Sequence, residues 1–223
     1  MYSVKKKYFY KGKMVSINKI IYSLFFCFAL TFIATLNLRP YPFDFIIKAV
    51  PVLSLALLAF FKIPGIRGKL LGIGFLFSDV GDIVLELNRS DYFVFGLAAF
   101  LIAHIFYIAV FIRKPVLKKQ RSIIAMAIII YGLFLGVILI PNLGSMLIPV
   151  VAYLLVILAM GISATLGVDN HFLIITGACL FILSDSIIAV NKFLTPVPFS
   201  SLWIMTIYYS AQFFIISGSL KQR

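Results

Sequence analysis

The chain has 223 residues, of which 63% are hydrophobic and only 12% are charged, and its mean hydropathy is +1.12. A water-soluble domain of this length could not bury that much apolar surface, so the composition predicts an all-helical integral membrane protein. The formal net charge of +13 is confined largely to the termini and short connections. There it acts as a topology signal and contacts anionic head groups, so nucleic acid is not an expected partner.

Eight apolar runs are long enough to cross a bilayer, which requires about 20 mostly apolar residues. Turn residues such as Pro, Gly, Asn and Asp separate them. In chain order the predicted helices are Ile17–Leu36, Phe43–Phe61, Gly68–Leu87, Tyr92–Ile112, Ser122–Ile140, Leu147–Leu166, Asn170–Asn191 and Phe199–Ser217. This division predicts a basic segment at 1–16, an eight-helix transmembrane domain at 17–218 and a short basic tail at 219–223.

Lys and Arg are distributed unevenly between the two ends of these helices. Sixteen of the 20 lie at the termini or in connections on the same side, whereas the opposite side has three. Positive residues are concentrated in the cytoplasmic loops of membrane proteins. Both termini are therefore predicted to be cytoplasmic, and the expected location is the bacterial cytoplasmic (inner) membrane.

Helices that are four apart in the chain share short motifs. The third contains FSDVGD and the seventh LSDSII, while the second contains VPVLSLALLAF and the sixth IPVVAYLLVILAM. Helices four apart run in the same direction, so this similarity predicts two parallel four-helix halves. The alternative is that short apolar segments resemble each other by chance.

The third predicted helix carries three of the seven acidic residues of the chain. Asp79, Asp82 and Glu86 have i, i+3, i+7 spacing, which places them on one face of a helix, with Ser78 at its edge. A carboxylate at the membrane centre costs at least ~2.5–3.5 kcal/mol, so such residues face a protein interior or a cavity. The stripe predicts one wall of a functional site. The alternative is a structural network between helices, with Glu86 at the membrane interface.

Other strongly polar residues fall at a similar predicted depth, between the middle and the outer side of the membrane. They come from helices 2, 4, 7 and 8, whereas helices 1, 5 and 6 contribute almost nothing. The residues are Lys48, His104, Tyr107, Asp185, Tyr208, Tyr209 and Gln212. This sorting by depth predicts one cavity lined by helices 2, 3, 4, 7 and 8. For each residue alone, the alternative is packing, interhelical hydrogen bonding or, for Lys48, a side chain that extends to the outer interface.

The sequence lacks an HExxH motif, a cysteine–histidine cluster and a GxxxxGK[ST] phosphate loop. His104 and His171 are predicted at different depths, so neither a metal site nor a cofactor is expected. An intramembrane aspartyl protease would carry GxGD, but Asp79 occupies the position of the first glycine of that motif.

Five segments carry a family resemblance: KAVPVL, LFSDVGDIVLEL, FGLAAFLIAHIFY, GACLFILSDSIIA and YYSAQFFIISG. In this order they resemble the motifs of the YhhN family, the lysoplasmalogenases. The resemblance implies a membrane enzyme that hydrolyses the vinyl ether bond of a lysophospholipid, giving a fatty aldehyde and a glycerophospho-ethanolamine or -choline. The resemblance carries over to the matching positions Lys48, Ser78, Asp79, Gly81, Asp82, His104, Tyr107, Ser184, Asp185, Tyr209 and Gln212.

The chemistry that the resemblance implies fits the predicted polar cavity. Protonation of the vinyl carbon needs a protonated acid, and the resulting oxocarbenium ion needs an anion nearby. Two buried carboxyls supply both, because burial and mutual repulsion keep one protonated while the other stays ionised. Asp82 and Asp185 are the predicted pair. The expected catalytic residues are Asp82, Asp185, Asp79 and His104, and the expected substrate-binding residues are Lys48 (for the phosphate), Ser78, Tyr107, Ser184, Tyr208, Tyr209 and Gln212.

A proton-coupled small-molecule or lipid transporter is the alternative function, because intramembrane carboxylates and a repeat would serve it as well. The predicted polar residues occupy only the outer half of the membrane, which argues against a path through it. A third interpretation is a structural membrane protein whose polar residues join its helices.

Overall fold

The structure is a computed structural model that describes the backbone of residues 2–87, 91–112, 115 and 117–222, and the side chains from residue 18 onward within those ranges. Along these residues eight α-helices follow one another without a β-strand. They are α1 (Tyr2–Ala34), α2 (Asp44–Lys62), α3 (Gly65–Leu87), α4 (Phe93–Phe111), α5 (Lys119–Leu139), α6 (Leu147–Leu166), α7 (Phe172–Phe193) and α8 (Ser200–Lys221). The predicted all-helical fold is confirmed for the described part of the chain.

Most of these helices begin and end within a few residues of their predicted bounds. The exception is α1, which begins at Tyr2 and not at Ile17. The residues before Ile17 include several lysines and no proline, so the sequence contains no strong helix breaker where the apolar run starts. The predicted tail at 219–223 similarly overlaps the last turn of α8.

Five of the described helices, α2, α4, α5, α6 and α7, are long and apolar enough to cross a membrane by length and composition, and α1 contributes the shorter apolar stretch Asn18–Ala34. The outer surface of the bundle is apolar too: Phe61, Leu133 and Val137 are each more than 60% exposed. Such a surface suits lipid and not water. The protein is therefore an all-helical integral membrane protein. The other two helices, α3 and α8, contribute many of the polar residues described below.

Helices that are consecutive in the chain pack side by side from α1 to α4 and from α5 to α8. Contacts of α4 with α6, of α2 with α8 and of α1 with α8 join these two groups. The close approach of α3 and α4 depends on Gly81, where an added Cβ would lie 2.6 Å from the ring of Phe100. Small residues commonly permit such approaches between membrane helices. Gly81 directly precedes Asp82, so this contact brings α4 close to the acidic face of α3.

The interior of the bundle contains polar as well as apolar side chains. The buried polar or charged residues include Lys48, Ser78, Asp79, Asp82, His104, Ser184 and Gln212. Large apolar side chains such as Phe75 and Phe181 are fully buried among the same helices. Because a buried polar group is costly unless it has a partner, the partners of these residues define the candidate site.

Candidate active site

Asp79, Asp82 and Glu86 lie on the face of α3 that points into the bundle. Asp79 and Asp82 are 6% and 4% exposed, and the Glu86 carboxylate contacts Lys48 and Arg39. The predicted orientation of this stripe toward the protein interior is confirmed. The cations that contact this stripe come from α2 and from the connection before α2.

Lys48 of α2 is the counter-ion of two of these carboxylates. Its Nζ lies 3.3 Å from Asp82 Oδ1 and 3.2 Å from Glu86 Oε2, and it donates a hydrogen bond of 3.2 Å to the Asp82 carbonyl. Lys48, which the sequence predicts as a phosphate-binding residue, is only 3% exposed. The reason is that α2 packs along α3, so the Lys48 side chain reaches acidic partners inside the bundle.

Arg39, in the connection between α1 and α2, extends this set of ion pairs. It contacts Glu86, and its Nε donates a hydrogen bond of 3.1 Å to Asp44 Oδ2. Glu86 thus lies between Arg39 and Lys48. The two cations are held by three carboxylates, Asp44, Glu86 and Asp82.

His104 of α4 and Asp185 of α7 are joined by Tyr153 of α6. The Tyr153 hydroxyl donates a hydrogen bond to Asp185 Oδ2, and His104 Nε2 lies 2.9 Å from the same hydroxyl oxygen. A hydroxyl has one proton, so His104 Nε2 is the donor of the second bond. The prediction that helix 6 contributes almost nothing to the site is wrong for this residue. Tyr153 was missed because a single tyrosine in an apolar helix resembles a lipid-facing aromatic.

A second chain of hydrogen bonds links α3, α4 and α8. Ser78 Oγ lies 3.1 Å from Tyr107 Oη, which donates to Gln212 Oε1 at 3.1 Å. Because Tyr107 gives its proton to Gln212, Ser78 is the donor to Tyr107. All three residues are fully buried. The chain fixes the amide of Gln212 with its oxygen toward Tyr107.

The remaining predicted residues of α7 and α8 have different positions. The Tyr208 hydroxyl lies beside Asp82, although outside hydrogen-bonding geometry. Tyr209 Oη donates a hydrogen bond of 2.9 Å to the Lys48 carbonyl. Ser184 donates to the Ile204 carbonyl at 3.2 Å, so its hydroxyl joins α7 to α8. Of the three, Tyr208 is the one whose hydroxyl lies beside a carboxylate of the cluster.

Besides Glu86 Oε2, which is ion-paired with Lys48, five buried polar atoms of this cluster have no hydrogen-bond partner among the described residues. They are Asp79 Oδ1, Asp82 Oδ2, His104 Nδ1, Tyr208 Oη and Gln212 Nε2. Nearly all buried polar groups in native proteins are paired. Unpaired donors and acceptors in one region therefore indicate a site for a polar ligand or water.

Two apolar cavities meet at Asp185 and Tyr153. The first, of about 50 Å³, is lined by these two residues and by Leu85, Phe93, Leu97, Phe100, Val150, Ile188, Ala189 and Phe193. The second, of about 30 Å³, lies between α5, α6 and α7 and is lined by the same Asp185 and Tyr153. Asp185 thus contributes a carboxyl to the otherwise mostly apolar walls of both cavities.

His171, which was predicted away from the site, lies at the start of α7. Its Nδ1 accepts a hydrogen bond of 3.2 Å from the Leu173 N–H and so caps the helix. Within the described ranges, no group of three or more His, Cys, Asp and Glu side chains could hold a metal ion.

The sequence profile of the YhhN family matches residues 43–219, a range that includes the cluster from Asp44 to Gln212. The chain belongs to the YhhN family. Lysoplasmalogenase TMEM86A of Bos taurus is 34% identical over 160 residues, which are 68% of this chain and 65% of the relative. Lysoplasmalogenase TMEM86B of Homo sapiens is 34% identical over 180 residues, 80% of this chain and 76% of the relative.

A bacterial relative is also similar to this YhhN-family chain. The lysoplasmalogenase of Mycobacterium tuberculosis is 30% identical over 151 residues, which are 64% of this chain and 57% of the relative. The chain therefore spans less than two thirds of the length of some relatives, 65% in the case of bovine TMEM86A. No solved structure gives a significant match.

Proposed function

We propose that this protein hydrolyses the vinyl ether bond of lysoplasmalogens, releasing a fatty aldehyde and a glycerophospho-ethanolamine or -choline. The names of its relatives support the proposal. The structural observation that carries it is the position of Asp185, whose carboxyl lines two apolar cavities beside a cluster of buried carboxyls. In a lysoplasmalogen the apolar chain begins directly at the bond to be cleaved. A carboxyl in an otherwise mostly apolar cavity wall is suited to bind that part of the molecule.

The reaction requires one proton transfer to carbon and one molecule of water. A carboxylic acid donates its proton to the vinyl carbon beta to the ether oxygen, which leaves an oxocarbenium ion and a carboxylate. Water adds to the cation, and the proton it loses returns to the carboxylate. The hemiacetal then collapses to the aldehyde and the glycerol hydroxyl. General acid–base catalysis of this kind contributes about 10²–10⁴-fold in rate.

The two predicted catalytic carboxyls have different neighbours, which support different roles for them. Lys48 Nζ lies 3.3 Å from Asp82 Oδ1, so a buried cation is available as the partner of an Asp82 carboxylate. Asp185 lines both apolar cavities and accepts the hydrogen bond of Tyr153. Asp185 is therefore the proposed proton donor, because the apolar end of the substrate would reach it, and Asp82 is the proposed anion that stabilises the oxocarbenium ion.

Neighbouring residues position these two carboxyls and the water. Tyr153 donates its hydrogen bond to Asp185 Oδ2, which leaves Oδ1 as the oxygen that carries the transferable proton. Tyr208 Oη and Gln212 Nε2 are buried without a partner among the described residues, so they are available to hold the attacking water. Asp79, whose Oδ1 is also unpartnered, is placed to accept a hydrogen bond from that water.

The proposed arrangement in the membrane has eight spans with both termini in the cytoplasm of a bacterial cell. The helical domain covers 17–218, with the basic segments 1–16 and 219–223 on the cytoplasmic side, as the distribution of Lys and Arg supports. The contacts also support two parallel four-helix halves. Exchanging the halves turns the α2–α8 contact into the α6–α4 contact, and both are present.

The test is aldehyde release by the purified protein in detergent from defined ethanolamine and choline lysoplasmalogens. The wild-type protein is expected to release aldehyde and glycerophosphodiester in equal amounts. It should not cleave the saturated alkyl-ether lysolipid, which has no vinyl carbon to protonate. Folded wild-type protein that releases aldehyde from neither lysoplasmalogen would contradict the proposal.

A further inference from the structure

Lys192, near the end of α7, lies beside the first apolar cavity. Its Nζ is 4.3 Å from the ring centroid of Phe93 and 5.8 Å from that of Phe193. Both rings line the cavity, and they meet edge to face with centroids 5.8 Å apart. Phe93 is the first residue of α4 and Phe193 the last of α7. The cation is therefore held by cation–π contacts at the end of the cavity where these helices terminate.

Lys192 and Asp185 lie on the same face of α7. Their i, i+7 spacing corresponds to about two turns, or about 10.5 Å along the helix axis. Asp185 lines the cavity together with the two rings, and Lys192 lies over one of them. One face of α7 thus carries both a carboxyl that lines the cavity and a cation that contacts two of its lining rings.

Lys192 differs from Lys48 in its surroundings. Lys48 is buried and paired with two carboxylates, whereas Lys192 is exposed, and its described contacts are with aromatic rings. A lysine in the last turn of a helix also stabilises the helix dipole. That role does not require a position over two rings of a cavity, so the dipole alone does not explain the placement of the ammonium.

We propose that Lys192 binds the phosphate of the lysolipid while its vinyl ether lies at Asp185 and its alkenyl chain continues into the second cavity. This inference rests on the proposed function. The glycerol backbone separates the phosphate from the vinyl ether, and it fits between an acid and a flexible cation two helical turns apart. An ammonium pairs with a phosphate oxygen through a charge-assisted hydrogen bond. In this proposal Lys192 binds the phosphate in place of Lys48, the residue predicted for it from the sequence.

The test measures binding without turnover, using a saturated 1-O-alkyl lysophosphatidylethanolamine and the corresponding 1-O-alkylglycerol, which lacks the phosphate. Wild-type protein in uncharged detergent is expected to bind the phospholipid about fivefold or more tightly, a size suited to a partly exposed charge pair. Lys192→Gln should lose this preference, and Lys192→Arg should keep it. Raising the ionic strength should weaken the wild-type preference.

A matched control is Lys69→Gln, which removes another exposed lysine, near the start of α3, and should leave the preference unchanged. In turnover with lysoplasmalogen, Lys192→Gln should raise KM and leave kcat close to the wild-type value, because the phosphate contact is the same in ground state and transition state.

Three outcomes test the proposed phosphate site at Lys192. A Lys192→Gln protein that retains the wild-type preference overturns the phosphate site. Loss of the wild-type preference on adding diacyl phosphatidylethanolamine to the micelles also overturns it, because bulk lipid would then be the ligand. A protein that shows the Lys192-dependent preference but releases no aldehyde from lysoplasmalogen contradicts the hydrolysis and supports the phosphate site.

Discussion

Tyr153 donates a hydrogen bond to Asp185 across the interface of α6 and α7. The same hydroxyl oxygen lies 2.9 Å from His104 Nε2 on α4, so three helices fix the orientation of one carboxyl. Which oxygen of Asp185 is free to carry a proton therefore depends on Tyr153. This makes Tyr153 a positioning residue in the proposed mechanism.

Replacing Tyr153 by Phe should lower kcat by up to about tenfold, since a hydrogen bond between neutral groups contributes about 0.5–1.5 kcal/mol. KM should change little, because the ring and its packing remain. The measurement is the initial rate of aldehyde release over a range of lysoplasmalogen concentrations. Tyr131→Phe on α5, where the tyrosine is 37% exposed, is the control and should behave like wild type. An unchanged kcat in Tyr153→Phe would remove Tyr153 from the mechanism.

The features that the sequence predicted correctly are properties of single helices. The lengths of the apolar runs predicted the eight helices. The i, i+3, i+7 spacing of Asp79, Asp82 and Glu86 predicted which face of α3 points inward. Contacts between helices depend on packing, which no single run encodes, so the pairing of Lys48 with Asp82 was not predicted. Tyr153 could have been found from its predicted depth in the membrane. It lies near the start of helix 6, at a depth similar to that of Asp185 in the outer half of helix 7.

Removing Lys48 should destabilise the protein more than it changes substrate binding. In Lys48→Met the Asp82 carboxylate would be buried without its cation, and breaking a buried ion pair costs about 3–5 kcal/mol. The measurement is the free energy of unfolding in detergent, or the shift of the thermal midpoint. The double variant Lys48→Met/Asp82→Asn should recover part of the loss, because no uncompensated charge remains at Asp82. Equal stability of Lys48→Met and wild type would contradict a structural role for the pair.

The proposed topology predicts where a reporter fused to the chain is active. A reporter that works only outside the cytoplasm should give no signal at the C-terminus, after α8. The same reporter inserted at Thr195, between α7 and α8, should give a strong signal because that connection lies on the side with few Lys and Arg. A strong signal from the C-terminal fusion would reverse the orientation.

Asp82 and Asp185 should each be required for turnover as carboxyls and not merely for their shape. Asn keeps the size and hydrogen-bonding reach of Asp, but it cannot donate a carboxylic proton or carry a charge. General acid catalysis contributes about 10²–10⁴-fold, so Asp82→Asn and Asp185→Asn should each lose at least about two orders of magnitude in kcat. The measurement is aldehyde release by variants that elute and unfold like the wild-type protein.

The double variant separates a joint mechanism from two independent structural effects. Residues that act as one unit are strongly non-additive, so Asp82→Asn/Asp185→Asn should be little worse than either single variant. Asp169→Asn, in the exposed connection between α6 and α7, is the control and should retain wild-type turnover. Because Asp185 is the proposed proton donor and Asp82 the stabilising anion, the loss in each single variant arises in the same step, the protonation of the vinyl carbon. A single Asn variant that keeps more than about a tenth of wild-type turnover falls outside the range expected of general acid catalysis, and its aspartate would then have a structural role.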